Sequence, residues 1–524
     1  MTDRETLLAQ AQGLLDADQP RQALIHFNSL LKRFPTFPPA LLGAALSHLK
    51  LRQPQPALLH LKSLLQQDPN HLEGLLATGE ALKSMQKYRA AAQAFSAVTR
   101  LAPHDWRGWA YLGDTLRLAD QPKDALANLR KALELNPSYS ELYNLTALAL
   151  RDLGAWEEGE KLLRQAIAQA PTARLWNTLG QFLDHLDRVE EAIASFNQAL
   201  KAEPNFPEAC FSRALIYLKL GRYREGWADY ETRFQLPGKA PRRPPEGVQW
   251  RGEPLIDKRL LLVAEQGLGD TLQFIRYAAI LAERGAQITF WGPERLLPLI
   301  KSTPGVINVS SHSADPPPFD YYIHLMSLPH ILSHSLDQIP RKVPYLRVES
   351  QRVEHWRRWL ETVAPGRIRI GLAWFGNEKN RNYERFFHLS QARALLEVEG
   401  VKWISLQMGH GSQEIEELPP ELRPVPLPPD ADREAAFLDT AAVMQNLDLI
   451  ITCDTSIAHL AGALARPVWI LLPLAADWRW LRERDDSPWY PTARLFRQPK
   501  LQAWEELMVQ VAQTLRTHLV RRQS

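Results

Sequence analysis

Two short segments of this sequence carry the residue types that phosphate handling and proton transfer require. The first, EQGLGDTLQFIRY at 265–277, runs from an apolar stretch into Gly267, Leu268 and Gly269, after which Asp270 opens a helix. Glycine lets a backbone approach a ligand closely, and the free amides of a helix start attract phosphate oxygens. Leu272 stands where a dinucleotide fingerprint needs its third glycine, so no nicotinamide or flavin cofactor is implied. Asp270 has two readings: a carboxylate placed to take a proton, or the N-cap of its own helix.

The second segment is LDLIITCDTSIAHLAGALARPVWILLP at 447–473, an apolar strand that ends at Asp454. Thr455, Ser456 and Ile457 then begin a helix whose dipole and unpaired N–H groups suit a diphosphate, with two hydroxyls as further donors. His459, five residues past Asp454, either touches that ligand or packs against the sheet. A third stretch, DWRWLRERDDSPWYPTARLFRQ at 477–498, is rich in Trp and Arg. Such residues stack on sugars and pair with phosphates, but they also lock a chain end onto its core, which is the preferred reading. His330 and His334 stand four apart without an acidic third ligand in a recognisable motif, so no metal site is expected.

These segments need strands that end where the chemistry begins. Apolar runs at 259–264, 287–291, 306–309 and 321–325, then at 369–374, 402–406, 447–452 and 468–472, alternate with helical stretches. That alternation predicts two parallel sheets, with ligands beyond the carboxyl ends of their strands. The domains follow as an amino-terminal lobe over 258–362 and a carboxyl-terminal lobe over 363–524. A proline- and glycine-rich connector at 235–257 precedes them.

Residues 1–234 have a different grammar. Small residues at Ala23, Ala57, Ala91, Ala125, Gly159, Ala192 and Gly226 recur every 33 or 34 positions, and Pro35, Pro69, Pro103, Pro137, Pro171 and Pro204 keep the same phase. A second small series lies twelve residues earlier, at Ala11, Ala45, Gly79, Gly113, Ala147, Gly180 and Ala214, where two antiparallel helices must approach closely. About seven helical hairpins result, stacked into a solenoid because no hairpin covers its apolar face alone. The expected role of their groove is to bind a protein partner.

Composition excludes several classes. With 45% hydrophobic and 23% charged residues the 524-residue chain reads as ordinary globular protein, and it has no apolar run long enough to span a bilayer. The near balance of 62 Lys+Arg against 59 Asp+Glu gives no reason to expect nucleic acid as a partner. Two distant cysteines and an N-terminus without a signal pattern predict a cytoplasmic protein.

The repeats, best seen in Trp109 and Gly113 to Pro137, resemble the tetratricopeptide repeat family. The pairing of Leu268-Gly269-Asp270 with Asp454-Thr455 and His459 resembles the family nine glycosyltransferases, the bacterial heptosyltransferases, over about 258–514. The implied fold is an α-solenoid followed by an α/β pair of Rossmann-like lobes of the GT-B type. The implied activity is metal-independent, inverting transfer of a sugar from a nucleotide-sugar donor, without a further cofactor, to a hydroxyl on a protein or glycan acceptor. By the same resemblance Asp270 is the catalytic base, while Asp454, Thr455 and Ser456 grip the nucleotide diphosphate. A basic residue also contacts phosphate, with Lys379, Arg381 and Arg385 as possible counterparts and Arg385 preferred. Gly267, Leu268, Gly269, Asn377, Gln407 and His459 are counted with them as nucleotide-sugar contacts. Repeats followed by such a pair also resemble O-GlcNAc transferase and its bacterial relatives. The asparagine ladder of that groove is, however, replaced here by Ala9, Gly43, Ala77, Tyr111, Leu145 and Thr178. The competing expectation is a non-catalytic repeat scaffold with a degenerate GT-B domain.

Overall fold

The computed structural model describes residues 3–238, 245–376 and 385–523. It forms two compact units, Met1–Pro204 and Asn205–Ser524.

The first unit is six helical hairpins, from Asp3–Asp16 with Pro20–Arg33 to Ala173–His185 with Val189–Ala202. Each second helix ends two residues before its phased proline, which cannot continue a helix. Both small series are buried, and the reason is visible at the glycines: a Cβ on Gly79 would lie 2.4 Å from the Phe95 ring and one on Gly180 2.5 Å from Phe196. Within every hairpin one turn residue takes the left-handed conformation: Asp18, Arg52, Gln86, Asp120, Gly154 and Asp187. Only one of these six is glycine, so the turn is enforced by the packing of the two helices it joins.

The second unit begins with a seventh hairpin, Pro207–Lys219 and Tyr223–Tyr230, followed by a 3₁₀ turn at Glu231–Gln235. Two sheets come next, and both are parallel. The first has the order β3-β2-β1-β4, with β1 Arg259–Val263, β2 Gln287–Gly292, β3 Val306–Ser311 and β4 Tyr321–His324. The second has the order β10-β9-β8-β5-β6-β7, where β5 is Ile368–Ala373, β6 Val401–Ser405, β7 Val425–Pro426, β8 Leu449–Cys453, β9 Val468–Leu472 and β10 Ala493–Arg497. One hydrophobic core runs from Trp227 of the seventh hairpin through Leu262 of the first sheet to Ile470 of the second.

Three expectations change. The unit boundary falls after Pro204 and not at 234, because the seventh hairpin buries Trp227 and Tyr230 in the core of the sheets. Part of the expected connector joins the first sheet: Trp250 N–H donates to the Tyr322 carbonyl at 2.8 Å and covers the β4 edge, while 239–244 lie outside the described residues. The helix expected to open at Asp270 begins two residues earlier, at Leu268, and ends at Phe274, with a second following at Tyr277–Glu283. Between them the Arg276 guanidinium takes the Gln273 carbonyl at 2.7 Å, the acceptor an unbroken helix would give to residue 277.

Candidate functional site

The glycine turn is assembled from residues on both sides of it in sequence. After β1, Glu265 is buried against Arg233 through bonds of 2.9 and 3.1 Å, and it accepts the Met326 amide at 2.9 Å. Gln266 then takes a left-handed conformation, φ +59°, and Gly267 caps the helix Leu268–Phe274. One oxygen of Asp270 accepts the Gly267 amide at 2.8 Å from the third helical position, so Gly267, and not Asp270 as expected, is the N-cap of this helix. Its other oxygen is ion-paired with Arg479 from the far end of the chain. The carboxylate therefore closes the helix cap and is also one end of a long-range charge pair. Gly269 has a different reason from the expected one: a Cβ there would meet His459 Cδ2 at 3.0 Å and Ser456 Cα at 3.4 Å. Helix-to-helix packing, not ligand approach, requires glycine at that position.

The second segment follows β8. Thr455 caps the eight-residue helix Ser456–Ala463, its hydroxyl accepting the Ile457 amide at 3.3 Å. Asp454 is only 4% exposed, and its carboxylate is ion-paired with Arg385. Burial pushes the Asp454 pKa up, against the pull of the Arg385 charge. Arg385 also lies 3.9 Å from Asp477, and Asp477 accepts from Arg479 at 2.8 Å. Although burial opposes its charge, the cations Arg479 and Arg385 hold the Asp477 pKa down to about 2. A chain of alternating charges thus runs Asp454, Arg385, Asp477, Arg479, Asp270 and ties the two segments together.

Thr455, Ser456 and Ile457 open onto a cavity of about 700 Å³, a size typical of small-molecule sites. Leu268 faces it from the first segment, Gln407 from the end of β6, and Arg295 from the turn after β2. Phe375, Met408 and Phe437 supply apolar wall. Gln407 is fixed by accepting the amides of Trp374 and Phe375, at 3.2 and 2.9 Å, and by donating to the His410 carbonyl at 2.7 Å. Arg295 donates to the Asp432 carbonyl at 2.9 Å and so bridges to the loop that bears Phe437. Such a cavity can seat a flat or apolar group against its walls and an anion at the helix start.

Several expected contacts lie elsewhere. His459 is buried off the cavity wall: its Nδ1 bonds the Tyr490 hydroxyl at 2.9 Å and its ring stacks on Trp480, centroids 5.5 Å apart. Burial drives its pKa well below the usual histidine value, so it packs as a neutral ring. Asp454 also stands off the wall, because its carboxylate serves Arg385 beneath the helix start. Gly267, Gly269 and Asp270 border the cavity through Leu268 without lining it. Asn377, Lys379 and Arg381 lie outside the described residues. Sequence reasoning missed Arg479, Asp477, Arg295 and Phe437. For the first two the signal was charged residues set among tryptophans at 477–480, a pattern that also builds core. Among the described residues no group of three or more His, Cys, Asp and Glu is arranged to hold a metal, and no helix is long and apolar enough to cross a membrane.

A tetratricopeptide repeat family model matches residues 8–71, 76–140, 116–174, 144–207 and 179–231. Protein FlbA of Caulobacter vibrioides is 31% identical over 458 residues, covering 81% of this chain and 75% of that protein. A STIP1 homolog of Dictyostelium discoideum is 32% identical over 94 residues, 18% of this chain and 17% of its own. Among solved structures, a tetratricopeptide repeat protein from Parabacteroides merdae is similar at 14% identity, with a TM-score of 0.40 over 44% of this chain and 92% of its own.

Proposed function

This chain belongs to the same family as Protein FlbA of Caulobacter vibrioides and carries tetratricopeptide repeats, and from that premise we propose that its second unit is a GT-B type glycosyltransferase whose repeats engage a protein acceptor or partner. The observation that carries this reading is the helix start at Thr455, Ser456 and Ile457, open to a cavity of about 700 Å³ and tied through four charged contacts to Asp270. A nucleotide-sugar places its phosphates at that helix start and its base against the apolar wall. As the sugar leaves, negative charge builds on the phosphate oxygens, where the fixed amides of the helix start stabilise it. Asp270 takes the proton of the attacking acceptor hydroxyl.

A panel of nucleoside mono- and diphosphates tests the donor site by thermal shift. A nucleotide at 100 times its Kd stabilises the fold by about 2.7 kcal/mol, and Thr455→Ala reduces that shift. No shift with any member of the panel sinks the donor reading. One observation favours the scaffold alternative: both Asp270 oxygens already have partners, the Gly267 amide and Arg479. Asp270→Asn separates the two, since a transferase variant retains nucleotide binding and loses sugar transfer, whereas a scaffold has no transfer to lose.

A further inference from the structure

Resting on the transferase reading, we propose that the seventh repeat is a working part of the candidate active centre, with Tyr230 and Trp227 as positioning residues for the glycine turn and for the Asp270–Arg479 pair. Tyr230 is buried, and its hydroxyl accepts from Gln266 Nε2 at 3.0 Å and lies 3.7 Å from Met326 Sδ. Gln266 is the left-handed residue immediately before Gly267. A non-glycine residue holds that conformation only where its surroundings fix it, and the Tyr230 hydroxyl is what the Gln266 side chain meets. One residue earlier, Glu265 is held by Arg233 of the same repeat tail. The turn that presents Asp270 is therefore gripped by the repeat at two consecutive residues.

Trp227 grips the other side. Its ring stands edge-on to Phe274, centroids 5.9 Å apart at 89°, and Phe274 is the last residue of the short helix that bears Asp270. The same ring stands edge-on to Trp478, 5.1 Å away at 86°, and the Arg479 guanidinium lies 4.3 Å over the Trp478 ring. One indole thus abuts the elements carrying both members of the ion pair, whose residues are 209 positions apart in sequence. Packing of this kind fixes the distance between two charged groups that no local sequence holds together.

The full chain and its variants Tyr230→Phe and Gln266→Ala test the proposal, by amide hydrogen exchange across the second unit and by release of nucleotide from the nucleotide-sugar matching the tightest-binding nucleoside diphosphate among ADP, GDP, UDP and CDP. Tyr230→Phe removes a single hydroxyl. Exchange then rises about tenfold over 265–274 and stays at the wild-type level in Met1–Pro204. Turnover falls about tenfold while the nucleoside diphosphate Kd stays within about twofold, a split that simple destabilisation does not produce. Gln266→Ala reproduces both effects, and the double variant is no worse than either single one, because both remove the same bond. Trp227→Phe keeps an aromatic ring in place and retains more turnover than Trp227→Leu. Turnover and local exchange of Tyr230→Phe within about twofold of wild type overturn the proposal, as does a uniform rise in exchange over the whole second unit. If wild type releases no nucleotide but the local rise in exchange is present, the positioning role stands and the transferase reading falls.

Discussion

At Asp270 a local role and a long-range role share one carboxylate: one oxygen closes the cap of its own helix and the other meets Arg479. The sequence placed that carboxylate at a helix start but assigned it the N-cap, which belongs to Gly267; Asp270 reaches back to it from the third helical position. The Arg479 role was not legible, since a guanidinium can reach any carboxylate the fold brings near it. His459 shows the same limit in reverse, for its spacing fitted a ligand contact while Gly269, Trp480 and Tyr490 surround it. Gly269→Ala presses a methyl group onto His459 and Ser456 and destabilises the second unit by about 1–3 kcal/mol in urea unfolding. A second residue-scale prediction concerns His324, at the end of β4, 3% exposed, with no hydrogen-bond partner among the described residues for either ring nitrogen. Burial pushes its pKa from 6.5 down to about 4, with Arg233 and His312 adding to that push and Glu265 opposing it. Since the unfolded chain takes up the proton first, the stability held above pH 6.5 is lost as the pH falls towards 4, by about 3 kcal/mol in all. In His324→Leu the fall of Tm between pH 6.5 and 4 is correspondingly shallower.

Among elements, the hairpins of the first unit were set by local period, and their small positions prove to be where one helix of a pair receives the large side chain of the other. Gly180 faces the Phe196 ring so closely that a Cβ would stand 2.5 Å from it. Gly180→Ala therefore forces that ring to move and lowers the stability of the first unit by about 1–3 kcal/mol, read as an earlier unfolding midpoint. The recurrent left-handed turn residue had no sequence signature, since Asp, Arg, Gln and Gly all occupy it. In the second unit, eight strands were legible as apolar runs, most clearly β8 and β9, which are buried throughout, whereas no residue of β3 is buried. Two strands were not legible: β7 is only two residues long, and β10, ARLFR, is interrupted by arginines and follows a stretch of tryptophan and proline.

For the whole molecule the decisive feature is the boundary after Pro204, which assigns the seventh repeat to the unit of the two sheets. A chain beginning at Asn205 keeps Arg233 with Glu265 and Trp227 in the core, so it elutes as a folded species and melts cooperatively. One beginning at Lys258 leaves Glu265 buried without its cation, at a cost of about 3–5 kcal/mol, and bares the apolar surface that Trp227 covered. That shorter chain aggregates on gel filtration; if it is instead as stable as the longer one, the boundary drawn here is wrong. The amino acid sequence by itself determined the repeats, the parallel strand and helix alternation, and the helix start after Asp454, because each is written either in one short stretch or in a spacing that recurs along the chain. Only the tertiary structure decided that Arg385 serves Asp454, that Arg479 reaches Asp270, and that the last hairpin grips the glycine turn. These pairings join residues 69, 209 and 36 positions apart, and a charge or a ring selects its partner by proximity in space, which no local pattern encodes.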